Sequence, residues 1–167
     1  MSDAPAVLAP DVVPESVSPP QVLRQFRVVF GAVRSHFRQV EKQAGIGGAQ
    51  AWALSLVQRQ PGLGVTELAQ AMDIHQSTAS NLVRQLLQRG LLRSEKSPQD
   101  RRSVHLYLEP AGAAVLQTLP GPFEGVLPQA LQQLPPEALA QLHAGLAQLL
   151  PLLQADLAAG GVPLAEL

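Results

Sequence analysis

The sequence predicts a mainly α-helical protein with one small β-hairpin. Apolar residues recur at steps of three and four in both terminal parts of the chain, which is the period of a buried helix face. After Gly90 the period changes to two, as in strands. Glycine and proline pairs separate these segments, so we expect helices joined by short turns.

Composition excludes several classes of protein. The 167 residues are 46% hydrophobic, enough for one core, but only 15% charged, which suggests that a partner covers some apolar surface. Without cysteine there are no disulfides, thiolate metal sites or cysteine nucleophiles. No segment approaches the ~18 consecutive apolar residues of a membrane helix, and the acidic N-terminus is unlike a signal peptide. We therefore expect a cytoplasmic protein with no membrane partner.

Charge is distributed unevenly along the chain. The net charge of −1 conceals a stretch of +4 at residues 75–105 and a stretch of −4 at residues 111–167. The second stretch contains no lysine or arginine. This asymmetry indicates one surface that meets a polyanion and another that stays away from it.

We expect four regions: a flexible N-terminal arm at residues 1–20, an N-terminal helix region at 21–48, a central lobe at 49–109 and C-terminal helices at 110–167. The arm carries five prolines and no helical period. The last helix carries leucines at helical spacing from Leu139 to Leu157, with a kink expected at Pro151. Its long apolar face would not stay exposed in a monomer, so we expect a homodimer.

The sequence of the central lobe predicts a helix, a short helix, a third helix and a β-hairpin, in this order. The helices are expected at residues 49–60, 67–72 (with Thr66 as its N-cap) and 76–89, and the strands at 91–94 and 103–108. Gly90 stands where a helix needs a left-handed residue after its end. Pro110 opens the next helix, which Pro120 and Pro122 interrupt.

The helix at 76–89 begins with polar side chains that suit the edges of DNA bases. The second helix of such a pair fits the major groove, and its N-terminal end faces the bases. The candidate residues on this helix are His75, Gln76, Ser77, Thr78, Ser80, Asn81 and Arg84.

The hairpin loop is polar and basic. An arginine at such a tip can enter the narrow, negative minor groove, and a neighbouring aspartate can fix its direction through a bidentate pair. The candidate residues are Lys96, Asp100, Arg101 and Arg102.

Residues 65–112 resemble the winged helix-turn-helix of the MarR family of bacterial transcription regulators. The resemblance is carried by Thr66-Glu67-Leu68-Ala69, Ser77-Thr78, Arg89-Gly90-Leu91-Leu92-Arg93 and Asp100-Arg101-Arg102. It implies a winged helix-turn-helix lobe held between N- and C-terminal dimerisation helices. His75, Asn81 and Glu109 depart from the family pattern, which puts the cap of the recognition helix and the base preference in doubt.

The resemblance also implies a cleft for a small aromatic or phenolic effector, with His36 and Trp52 as candidate lining residues. The four histidines are scattered, so we expect no metal and no cofactor. Neither a catalytic triad nor a pair of buried acids is apparent, so an enzyme acting on a small aromatic substrate is disfavoured.

Together these features predict a sequence-specific transcriptional regulator that binds a pseudo-palindromic operator on double-stranded DNA as a homodimer. The resemblance to the MarR family further implies a ligand-responsive repressor. The alternative is a winged-helix interaction scaffold whose basic block docks an acidic protein.

Overall fold

The computed structural model describes residues 17–96 and 104–166. In these residues the helices are α1 (Pro19–Ala44), α2 (Gly48–Arg59), α3 (Val65–Met72), α4 (Gln76–Gln88), α5 (Pro110–Gln117), α6 (Val126–Gln132) and α7 (Pro136–Leu152). The strands are β1 (Leu63–Gly64), β2 (Leu92–Lys96) and β3 (Val104–Leu108), and two 3-10 turns follow α7 at Leu157–Gly161 and Leu164–Glu166. The expected fold, mainly helical with a small hairpin, is confirmed.

The three strands form one antiparallel sheet in the order β1-β3-β2. Leu92 pairs with Leu108 at the base of the hairpin, and Leu63 of β1 pairs with Leu106 on the other edge of β3. The sequence did not predict β1, because a two-residue strand shows no period. Through β1, the connection between α2 and α3 is hydrogen-bonded to the hairpin.

The core lies around α2, eight of whose twelve residues are buried. Leu54 of α2, Leu68 of α3, Leu86 of α4 and Leu106 of β3 are fully buried and belong to one apolar cluster. The two long helices lie largely outside this core. Val40 is the one buried residue of α1, and none of the residues of α7 is buried.

Two expected helix starts are wrong. Pro19 and Pro20, assigned to the arm, form the first turn of α1, where the missing N–H of proline costs nothing. The cap of α3 is Gly64 and not Thr66, since the Glu67 Oε2 atom accepts the Gly64 N–H at 2.8 Å. Residues 1–16 of the expected arm lie outside the described residues.

The last helix is also shorter than expected. It ends at Leu152 instead of kinking at Pro151 and continuing to Leu157. Proline lacks the N–H that would continue the helix, and Gln154 adopts a left-handed backbone with φ of 50°. Leu157 therefore begins a separate 3-10 turn.

Candidate nucleic-acid interface

Helix α4 is the exposed second member of the helix pair. Ala79, Leu82, Val83 and Leu86 are buried at helical spacing, so the opposite face of α4 points to solvent. The turn between α3 and α4 is tight because Asp73 adopts the left-handed conformation, with φ of 52°. The buried face and the turn together leave the N-terminal end of α4 at the surface.

The predicted residues in the first turns of α4 differ in whether their side chains are already hydrogen-bonded or buried within the chain. The Gln76 Nε2 atom donates to Thr66 Oγ1 of α3 at 3.1 Å, and the Ser80 hydroxyl donates to the Gln76 carbonyl at 2.8 Å. Thr78 is half-buried, whereas Ser77 is exposed. Ser77 is thus better placed than Ser80 for contacts outside the chain.

Asn81 and Arg84 lie one helical turn further along the exposed face. The Arg84 Nη2 atom donates to Asn81 Oδ1 at 2.5 Å. The pair brings two of the predicted residues together and gives α4 an outward guanidinium beside an outward amide.

His75 precedes α4 as its N-cap residue and is bound by a distant part of the chain. Its backbone N–H donates to the Gly161 carbonyl at 3.0 Å, and its Nε2 atom lies 3.0 Å from the Ala158 carbonyl oxygen. We call residues 156–166 the C-terminal strap. No sequence signal predicts this contact, since more than eighty positions separate the partners.

The hairpin β2–β3 stands beside this helix pair. Lys96 is the last residue of β2 and is exposed. At the base of the hairpin, the Arg93 guanidinium lies 4.5 Å from the centre of the Tyr107 ring, and it forms ion pairs with Glu95 and Glu109. Arg93 therefore stabilises the hairpin through contacts with both strands. The predicted loop residues Asp100, Arg101 and Arg102 lie outside the described residues.

A cavity of about 280 Å³ lies between α1, α2, the α3–α4 turn and the strap. Trp52 lines it together with Phe37, Ile74 and Phe123. His36, the other candidate, does not line this cavity. Its Nε2 atom is buried without a hydrogen-bond partner among the described residues.

Residues 44–103 match the model of the MarR family, and this span contains α2, the helix pair and strand β2. The winged helix-turn-helix of this chain is therefore similar to that of the MarR family. The resemblance read from the sequence is thus confirmed.

Two curated relatives of this chain are named as transcriptional regulators. A putative transcriptional regulatory protein for the hcr operon of Thauera aromatica is 33% identical over 87 residues, which are 52% of each chain. The HTH-type transcriptional regulator PetP of Rhodobacter capsulatus is 29% identical over 102 residues, 59% of this chain and 61% of PetP. The chain thus spans about half to three fifths of the length of these relatives.

Solved structures agree on the fold. The S. aureus MepR–DNA complex matches with a TM-score of 0.54 and 22% identity, over 83% of this chain and 99% of MepR. At this level of identity the likeness shows that the two proteins share a fold.

Hydrogen bonds from the buried Gln50 and the exposed Arg89 connect α4 to the rest of the lobe. The Gln50 Nε2 atom on α2 donates to Gln85 Oε1 on α4 at 2.5 Å. Next to it, the Arg89 Nη2 atom donates to the Gly45 carbonyl after α1 at 2.7 Å. Gln50 is not among the predicted site residues, although it stands between two alanines on the buried side of α2, where a polar side chain needs a hydrogen-bond partner.

Two features are absent from the part of the chain that the structure describes. Within residues 17–96 and 104–166, no three side chains of the metal-ligating types cluster. Over the same residues, no helix combines the length and the apolar character needed to cross a membrane.

Proposed function

We propose that this MarR-family protein is a sequence-specific DNA-binding transcriptional regulator. The observation that carries the proposal is the outward polar end of α4, set beside the β2–β3 hairpin. Relatives named as transcriptional regulators, and a fold neighbour crystallised with DNA, support it. In this arrangement α4 enters the major groove and the hairpin lies against the neighbouring minor groove.

Asn81 and Arg84 would divide the contacts between bases and backbone. An asparagine amide can bind adenine through two hydrogen bonds, and an arginine one turn away reaches phosphate or guanine. In the free protein these two side chains bind each other. On DNA the amide and the guanidinium would exchange this mutual hydrogen bond for contacts with the duplex.

The hairpin loop would supply the minor-groove contact. Lys96 stands at the exposed end of β2, where the loop begins. Arg101 and Arg102, which follow in the sequence, carry the positive charge that a narrow minor groove attracts. Asp100 would orient one of these guanidinium groups.

A homodimer would cover the apolar surface that a single chain leaves exposed. Helices α1 and α7 border an apolar groove lined by Val22, Phe26, Leu142, Leu146 and Leu149. Leu142 retains 41% of its exposure, and no residue of α7 is buried. A two-fold dimer formed on this face would place two α4 helices about 34 Å apart. The operator would then be a pseudo-palindrome with half-sites one helical turn apart.

The cavity beside Trp52 would hold a small aromatic or phenolic effector. Its walls include the α3–α4 turn at Ile74, directly before His75. An effector in contact with this turn would shift α4 and weaken DNA binding, by a coupling of about 1–3 kcal/mol. The protein would thus act as a repressor that the effector releases.

The test is footprinting on the intergenic DNA that neighbours the gene, followed by binding assays on the protected duplex and on a scrambled duplex. Asn81→Ala should reduce the ratio of the two affinities, because it removes a base contact worth about 1–3 kcal/mol. If Arg84 contacts phosphate, Arg84→Ala should weaken both complexes. It should also reduce the slope of log K against log salt concentration by about one unit. Gln88→Ala, an exposed change at the far end of α4, should leave both affinities unchanged.

Absence of any protected region, with no salt-dependent binding to duplex DNA, would contradict the proposal. Salt-dependent binding to an acidic protein in its place would favour the interaction scaffold.

A further inference from the structure

The C-terminal strap occupies hydrogen-bonding groups that DNA would use. At the N-terminus of a helix, free backbone N–H groups and the helix dipole attract phosphate. At α4 the N–H of the cap residue His75 already donates to the Gly161 carbonyl, and the His75 ring lies against the Ala158 carbonyl. Two carbonyl oxygens of the strap therefore bind groups that phosphate oxygens would contact in a DNA complex.

The strap is held in place on its other side. Pro163 is buried, and the methyl group of Ala165 lies so close to α2 that a Cβ atom on Gly48 would be 3.1 Å from it. Val162 and Leu164, the neighbours of Pro163 in the sequence, line the cavity beside Trp52. The strap thus lies against both the cavity and the start of α4.

The strap also carries the charge that DNA repels. Residues 156–166 contain Asp156 and Glu166 and no basic residue. A duplex bound at α4 would bring phosphates toward this acidic segment. Charge repulsion and competition for His75 both oppose simultaneous docking of strap and DNA.

We propose that the C-terminal strap is an autoinhibitory segment that competes with duplex DNA for the N-terminal end of α4. This inference rests on the proposed DNA-binding function. The docked strap holds the protein in a state of low DNA affinity, and DNA binding displaces it. Since the strap also lines the cavity beside Trp52, any molecule bound in that cavity would contact the strap directly.

Two adjacent glycines give a matched test. A Cβ atom at Gly161 would lie 2.5 Å from His75 Nε2, whereas a Cβ atom at Gly160 meets nothing within 4 Å. Gly161→Ala and the larger Gly161→Val must displace the His75 ring from the Ala158 carbonyl and should thereby loosen the strap, whereas Gly160→Ala should not. Hydrogen exchange of peptides that contain His75 or residues 157–163 measures the release.

The second measurement is the affinity of each variant for a mixed-sequence duplex of about 30 base pairs at low salt, followed by fluorescence anisotropy. We expect both Gly161 variants to bind at least about fivefold more tightly than the wild type, and Gly160→Ala to match the wild type. Saturating duplex should also increase exchange at residues 157–163 of the wild-type protein.

Three results would overturn the inference: protection of residues 157–163 that persists in both Gly161 variants, DNA affinity that is unchanged or lower when the strap is released, or protection that persists on DNA. Failure of every variant to bind duplex DNA would instead contradict the proposed function. The exchange data would then still report whether the strap docks on His75.

Discussion

Gly112 allows a sharp prediction about the junction between the hairpin and α5. A Cβ atom added at Gly112 would lie 2.3 Å from the Leu91 carbonyl oxygen and 2.8 Å from Leu108 Cδ1. A carbon–oxygen contact needs about 3.3 Å, so Gly112→Ala must move α5 by about 1 Å. The same Leu91 oxygen accepts the Glu109 N–H at 3.1 Å, a bond that this movement would weaken.

The expected cost combines three effects. Overpacking costs about 1–3 kcal/mol, and the weakened hydrogen bond adds up to about 1 kcal/mol. The better helix propensity of alanine returns up to about 1 kcal/mol. We therefore expect Gly112→Ala to lower the free energy of unfolding by about 1–3 kcal/mol, measured by urea unfolding at a fixed protomer concentration.

Gly31→Ala is the matched control for this measurement. Gly31 also lies inside a helix, but a Cβ atom there meets nothing within 4 Å. Alanine should stabilise the protein at this position by up to about 1 kcal/mol. If Gly112→Ala proved as stable as Gly31→Ala, the steric account of this junction would be wrong.

Three further predictions concern the dimer face, the position of α4 and the cavity. Leu142→Glu should convert the proposed dimer to a monomer in sedimentation, because it would bury a charge in the apolar groove. Gln148→Glu on the same helix should leave the dimer intact. A dimer that survives Leu142→Glu would place the interface elsewhere. Arg89→Met should lower the free energy of unfolding by about 1 kcal/mol through loss of its bond to the Gly45 carbonyl, and an unchanged urea midpoint would show that this bond is dispensable. Because Trp52 is the only tryptophan and lines the cavity, a hydroxybenzoate that binds there should change the fluorescence, and a flat titration up to millimolar concentration would argue against an aromatic effector.

The sequence predicts the central lobe well because its signals are local. Pro61, Gly90 and Pro110 mark element ends through their backbone restrictions, and the structure places Gly90 at φ of 66°, as a residue following a helix requires. The period of two after Gly90 correctly predicts the hairpin, because one face of β3 packs on the core at Leu106.

The features that the sequence does not predict depend on contacts between distant residues. Strand β1 exists because Leu63 pairs with Leu106, forty-three positions away, and not because of any local preference. Likewise, nothing in the residues around His75 indicates that Gly161 binds it. The leucine pattern of the last region continues to Leu157, but the helix itself ends at Leu152, because Pro151 and the left-handed Gln154 stop it.

The two-residue strand β1 has a mechanical consequence. It links the α2–α3 connection to β3, while the hydrogen bond from the Gln50 side-chain amide to Gln85 Oε1 links α2 to α4. The helices and the hairpin are therefore coupled to one another through hydrogen bonds. In the proposed dimer, a shift of α2 in one copy would therefore be passed on to both α4 and the hairpin of that copy.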